Sequence, residues 1–118
     1  MTEEIKYVLA NTIPSIPDQR DIPYRSPYKP EDLPSSVDMR EDVYEIENQG
    51  SIGSCVANGV ASSCELLANR NNKPIDLSRL FLYNATKVYE NRLGEEGLYT
   101  RNDYHVAYKQ GMPTDFLL

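Results

Sequence analysis

Cysteine, histidine, positive charge and long apolar runs are all scarce in this chain of 118 residues. No apolar stretch approaches the roughly 20 residues that span a bilayer. The opening Met1-Thr2-Glu3-Glu4-Ile5-Lys6 is acidic and lacks the apolar core of a secretory signal. That points to synthesis in a cytoplasm, or to a longer precursor. Twelve Lys and Arg stand against 18 Asp and Glu, a formal net charge of −6, with no basic cluster. This argues against a nucleic-acid partner. The only cysteines are Cys55 and Cys64. On one helix they would sit roughly 13 Å apart along the axis and on opposite faces. A disulfide needs Cα atoms within about 7 Å. Two thiols are therefore expected, which suits a reducing compartment. Cys64 reads as an inert core residue.

What is present is the composition of an ordinary folded domain, 40% hydrophobic and 25% charged. Six of the eight prolines lie between Pro14 and Pro34. Proline fixes its own φ and biases the preceding residue away from helix. Residues 1–34 are thus expected to form an extended arm, a strap over the surface of something else, with residues 35–118 forming the domain proper. Val43-Tyr44-Glu45-Ile46 suggests a short strand. Apolar residues at helical spacing then predict a main helix from about Cys55 to Asn69, ended by Asn71-Asn72-Lys73-Pro74. A second helix opens behind Ser78 as N-cap, with an apolar stripe of Leu80, Phe81, Ala85, Val88 and Tyr89. Gly94-Glu95-Glu96-Gly97 reads as a turn. A third helix is expected from about Arg101 to Gln110, with Thr100 and Asp103 as a capping-box-like start and Gly111 as a left-handed stop.

The stretch that carries chemistry is Asn48-Gln49-Gly50-Ser51-Ile52-Gly53-Ser54-Cys55, entering the main helix. Its glycines and serines favour a tight turn. Ser54 is a candidate N-cap whose hydroxyl would accept an amide proton of the first turn. Cys55 then falls at the first helical position, where amide groups and the helix dipole favour negative charge. A thiol there should ionise more readily, and the thiolate is the nucleophile. The turn can fold the Gln49 carboxamide back beside the sulfur, so that its NH2 and the Cys55 N–H face one oxyanion.

Gln49-Gly50-Ser51-x-Gly53-Ser54-Cys55 resembles the active-site segment of papain-like cysteine proteases, and Leu33-Pro34-Ser35-Ser36-Val37-Asp38-Met39-Arg40 is similar to the start of the mature enzyme. Continuation through Val56-Ala57-Asn58, and Pro17-Asp18-Gln19-Arg20-Asp21 upstream, resemble the bacterial and viral branch. The resemblance implies an α+β papain-like fold, of which this chain is mostly the helical lobe: a long central helix and an extended N-terminal arm, without the β-rich lobe. It implies Cys55 as nucleophile and Gln49 as oxyanion donor, with Gly53, Ser54 and Gly97 binding substrate backbone. No metal or organic cofactor is implied; the implied partners are a peptide or protein substrate and the missing C-terminal β-rich half. Two departures stand out. Ile52 replaces the family's usual cysteine three positions before the nucleophile, and Val56 follows the nucleophile where tryptophan is common.

A thiol hydrolase also needs a base. The only histidine, His105, falls inside the third helix, on a face normally part-exposed. In the family the catalytic histidine follows the cysteine by roughly 130–150 residues, with an asparagine to orient it. Only 63 residues follow Cys55 here, counting from 55 to 118. The expected activity is therefore a cysteine peptidase present as its N-terminal half and inactive alone. Two alternatives remain open: a non-catalytic binding or inhibitory module derived from that lobe, and another acyl-transfer enzyme using the same chemistry.

Overall fold

The computed structural model describes residues 12–43 and 45–114. The acidic start Met1–Lys6 and Tyr44 of the expected short strand lie outside the described residues. Three helices carry the architecture: α1 (Cys55–Arg70), α2 (Arg79–Glu90) and α3 (Thr100–Gln110). Two very short strands, β1 (Thr12–Ile13) and β2 (Leu98–Tyr99), pair in parallel, with Thr12 opposite Leu98 and Ile13 opposite Tyr99. The structure is thus mostly helical with a minor β component.

Each helix ends for a local reason. At the end of α1, Asn71 N–H reaches back to Leu67 and Ala68, Asn72 takes φ +57°, and the Lys73 amide bonds the Ala68 carbonyl at 2.9 Å. This is a left-handed stop made with asparagine in the place glycine usually takes. α2 starts where the Ser78 hydroxyl accepts the Phe81 amide at 3.3 Å. It stops at Asn91, again left-handed at φ +55°. α3 stops at Gly111, which has φ +75° but an extended ψ of −175°, so the chain leaves straight rather than through the expected left-handed turn. The Gly111 amide still bonds the Ala107 carbonyl at 3.0 Å. The returning chain is then tied to the start of α2: the Ser78 amide donates to the Pro113 carbonyl at 2.9 Å, and Leu77 bridges Thr114.

The core is small: Val56, Ala57 and Val60 of α1 meet Leu82 of α2, Leu98 of β2 and Val106 of α3. Leu82, Leu98 and Ala57 have no solvent exposure. Burying each large aliphatic side chain contributes roughly 1.5–3 kcal/mol.

Several expectations are corrected here. Most of the apolar stripe of α2 turns away from this core: Leu80, Phe81, Val88 and Tyr89 are exposed, while Ala85 of the same stripe is half-buried and packs against it. The inward face is Arg79, Leu82, Thr86 and Lys87. Three polar side chains can occupy it because each has a partner. Arg79 pairs with the buried Glu65 at 2.8 Å, Thr86 donates to Asp103 at 2.6 Å, and Lys87 donates to the Gly97 carbonyl. A buried polar group is tolerated when it is hydrogen-bonded. On α1, Val56 and Val60 are buried against the core, whereas Leu67 near the helix end is exposed. Thr100 and Asp103 do not form a capping box. Tyr99 is the N-cap with no side-chain bond, Thr100 is already helical, and Asp103 turns inward to Thr86. No strand forms at Val43, Glu45 or Ile46.

The described part of the proline-rich segment, residues 13–34, is largely exposed and carries a turn at Asp18–Asp21 and a short 3-10 helix at Pro30–Asp32. It touches the helices through Arg101, whose guanidinium donates to the Ile16 carbonyl at 2.7 Å and pairs with Asp21.

Candidate functional site

The turn before α1 is built from side-chain-to-backbone bonds. The Asn48 carboxamide oxygen accepts the Gly50 amide at 2.8 Å, an Asx turn, and Gly50 takes φ +64°. The Ile52 carbonyl then accepts twice: from the Ser54 amide at 2.8 Å and from Gln49 Nε2 at 2.8 Å. The first of these closes a three-residue turn around Gly53. The second ties the Gln49 carboxamide across the loop.

Ser54 is buried and occupies the N-cap position of α1, but its hydroxyl caps no backbone amide. It accepts instead from the Asn58 carboxamide, at 3.1 Å, and the same Asn58 nitrogen reaches the Ser54 carbonyl at 2.9 Å. The expected capping bond is replaced by this side-chain bridge one turn along the helix.

Cys55 is the first residue of α1, half-buried against the core. It lines an open cleft of about 320 Å³ between α1 and α3, with Val56, Gly59, Ser63, Thr100 and Tyr104. Gln49 lines a neighbouring depression, also about 320 Å³, with Glu47, Asn58, Gly59 and Ser62. Gly59 stands on the rim of both, and a side chain there would meet nothing within 4 Å. The Gln49 carboxamide nitrogen is bonded to the Ile52 carbonyl, and Gln49 lines this depression rather than the Cys55 cleft, the position expected for it beside the sulfur.

Gly53 is held against the turn that precedes β2. A Cβ at position 53 would lie 3.2 Å from the Glu96 Cβ and 3.5 Å from the Gly97 nitrogen. Gly97 is buried at φ +83°, a conformation that glycine adopts without strain. Its carbonyl accepts from Lys87 Nζ and, at 3.4 Å, from Arg92 Nη1. The structure therefore brings Gly53, Ser54, Cys55 and Gly97 to one end of α1, with Gln49 across the turn.

His105 is exposed on α3, its ring 5.1 Å from the Tyr89 ring on α2. It is not among the residues lining the Cys55 cleft. Cys64 sits two turns and more along α1, and burial pushes its thiol above the usual range. No group of three or more His, Cys, Asp or Glu among the described residues is placed to hold a metal ion. No helix among them is long and apolar enough to cross a membrane.

Sequence reasoning missed two groups beside this site. One is the cluster behind the Gln49 turn. Arg79 bonds Glu65 at 2.9 and 2.8 Å, Ser62 at 3.1 Å and Glu47 at 3.3 Å, and Glu65 also accepts the Leu77 amide at 3.1 Å. Burial raises the Glu47 carboxyl, with Arg79 opposing the shift. The other is Lys87 with Arg92 beneath Gly97. Periodicity within α2 signals neither group, because the partners that draw Arg79 and Lys87 inward, Glu65 and the Gly97 carbonyl, lie 14 and 10 residues away.

Residues 33–116, well over half of the chain, match the family described as papain family cysteine protease. The chain belongs to the papain family. No curated protein and no solved structure gives a significant match. The matched segment of the papain-family chain contains the whole Gln49–Cys55 turn, all three helices and the Gly97 turn. Cysteine peptidase is the activity class of that family.

Proposed function

We propose that this chain is the nucleophile half of a papain-like cysteine peptidase of the bacterial and viral branch. The reading divides it into an arm, residues 1–34, and a helical lobe, residues 35–118, completed by a C-terminal β-rich half. Cys55 is the nucleophile, forming a thioester with the carbonyl carbon of a peptide or protein substrate. The Cys55 N–H and the Gln49 carboxamide hold the oxyanion. Gly53, Ser54 and Gly97 position the substrate backbone. The observation that carries the reading is Cys55 at the first turn of a 16-residue helix, directly behind a Gln49-braced glycine turn, inside the matched segment.

The base is the missing element. His105 is engaged with Tyr89 and away from the Cys55 cleft. A proton must be taken from the thiol and given to the leaving amine, and an imidazole from the complementary half would do both. The chain by itself is then a peptidase fragment without turnover, since acid–base catalysis typically contributes 10²–10⁴-fold.

Cleavage of a fluorogenic peptide tests this. The purified chain alone is expected to show no Cys55-dependent turnover. With the C-terminal half added, in cis or as a second chain, cleavage is expected to appear, to vanish in Cys55→Ala and to fall about 10²–10³-fold in Gln49→Ala. Turnover by the chain alone that Cys55→Ala abolishes would place the base within these residues and overturn the half-site account.

A further inference from the structure

We infer that Asp103 on α3 and Glu90 on α2 share one proton, and that this pair locks the first turn of α3, with its Thr100 wall of the Cys55 cleft, in acid and releases it as pH rises. The device does not depend on the peptidase reading, only on the placement of Thr100 in that cleft.

Two rungs join the helices here. Thr86 Oγ1 donates to Asp103 Oδ1 at 2.6 Å, and Asn102 Nδ2 donates to Glu90 Oε2 at 2.9 Å. Thr86 and Glu90 are about one turn apart on α2, and Asn102 and Asp103 are adjacent on α3. The rungs leave one oxygen of each carboxyl group over, Asp103 Oδ2 and Glu90 Oε1. Both atoms are buried and have no hydrogen-bond partner. Asp103 has no solvent exposure, and the Glu90 side chain is only 2% exposed.

An ionised carboxylate only accepts hydrogen bonds, whereas a protonated one also donates. With both groups ionised, two buried oxygens lack a donor and two like charges repel. One proton answers both problems: Asp103 Oδ2–H donates to Glu90 Oε1. The surrounding charges assign that proton to Asp103. Arg92 Nη1 lies 3.6 Å from Glu90 Oε1, and Lys87 also feels the Glu90 charge. Asp103 instead faces Thr86 and Glu90 from α2 and, from α1, the Cys64 thiol, which it helps to push up. On α3 itself, Arg101 is paired with Asp21 and His105 lies against Tyr89. Burial raises the Asp103 pKa to about 6, with Thr86 opposing the shift and Glu90 adding to it.

The pair reaches the cleft through Glu90. Its Oε2 accepts the Tyr99 amide at 3.2 Å as well as the Asn102 carboxamide. One carboxylate oxygen therefore ties both sides of the first turn of α3, and Thr100, between them, lines the Cys55 cleft. When Asp103 loses its proton, repulsion drives Glu90 off, and Tyr99 and Asn102 lose their common acceptor.

Carboxyl-carbon and amide NMR titration of the full chain between about pH 4 and pH 8 tests this. The Asp103 carboxyl is expected to titrate with a midpoint of about 6. The Tyr99 and Thr100 amides and the Asn102 side chain should shift with the same midpoint. Protection of the Tyr99 amide from hydrogen exchange, corrected for the intrinsic rate, should fall about tenfold across it, as loss of a hydrogen bond to a charged group would produce. Glu90→Gln should lower the Asp103 midpoint, because the like charge is gone. Asp103→Asn should hold the Tyr99 and Thr100 signals at their acid positions throughout. An ordinary Asp103 midpoint near 4 overturns the inference. So does a midpoint unmoved by Glu90→Gln, or a titrating Asp103 that Tyr99 and Thr100 do not follow. The wild-type titration alone decides the coupling if either variant fails to fold. Loss of the peptidase reading would leave these signals untouched, since none reports on Cys55 chemistry.

Discussion

Gly53 has space for hydrogen and little more. A methyl there would stand 3.2 Å from the Glu96 Cβ, tighter than ordinary contact, and would push on the turn that Lys87 and Arg92 hold from below. Because that turn is pinned through its carbonyls, it cannot yield freely. Gly53→Ala is expected to destabilise the fold by about 1–3 kcal/mol, the usual cost of forcing an extra carbon into a fitted contact. Equilibrium urea unfolding reads this directly; an unchanged midpoint would mean the Glu96 turn is looser than its bonds imply. Gly59 provides the contrast. It lies in mid-helix, where glycine costs about 1 kcal/mol relative to alanine, yet its missing side chain touches nothing. It lies on the rim of both the Cys55 and Gln49 depressions, and its carbonyl accepts the Ser63 hydroxyl at 2.8 Å.

At the scale of the element, the three helices were legible because their signals are local. Alanine and valine at three- and four-residue spacing mark α1, Ser78 opens α2, and Asn71-Asn72-Lys73-Pro74 and Gly111 close α1 and α3. Which face of α2 turns inward was not legible. Leu80, Phe81, Val88 and Tyr89 make the more apolar stripe, but Arg79 and Lys87 face the interior because Glu65 on α1 and the Gly97 carbonyl await them. Those partners are 14 and 10 residues distant, and periodicity within one helix carries no information about them. The Gln49–Cys55 turn was legible as a motif; the Gln49–Ile52 bond that shapes it was not. The Glu65–Arg79 pair can be tested as a unit. Glu65→Ala leaves the Arg79 guanidinium buried with the weaker partners Glu47 and Asp76, and is expected to cost about 3–5 kcal/mol. The double variant Glu65→Leu with Arg79→Met removes both charges and should recover much of that loss. It will not recover all, because the Leu77 amide loses its acceptor, worth about 1–3 kcal/mol when buried. Thermal denaturation of Glu65→Leu, Arg79→Met and the double variant forms the cycle. Additive losses would show that the two side chains act independently.

For the whole molecule, the informative group is Asp103, because it lies with no solvent exposure where α3 meets α2. Its Oδ1 accepts the Thr86 hydroxyl at 2.6 Å, while Oδ2 has no hydrogen-bond partner. Burial is the main cause that pushes its pKa up to about 6 from 3.8, with Glu90 adding to the shift and Thr86 opposing it. The sign follows from linkage. The folded state holds this proton more tightly than the unfolded chain does, so stability is greatest below pH about 4 as far as this group is concerned. It declines as pH rises from about 4 to about 6, and above that the fold carries the full cost of a buried carboxylate. A shift of about two units corresponds to about 3 kcal/mol at most. Asp18, half-buried, and Asp38, exposed, shift the other way because Arg20 and Arg40 hold them low, so they titrate below this window. Asp103→Asn keeps an oxygen for Thr86 and removes the charge. It is expected to raise the melting temperature at pH 7.5 and to flatten the stability profile between pH 4 and 7, with little gain at pH 4. Thermal melts of both proteins across that range decide the matter. An Asp103→Asn variant that is less stable than wild type by the same amount at every pH would mean that the carboxyl acts through its shape and its bond to Thr86, and that its charge is not a burden on the fold.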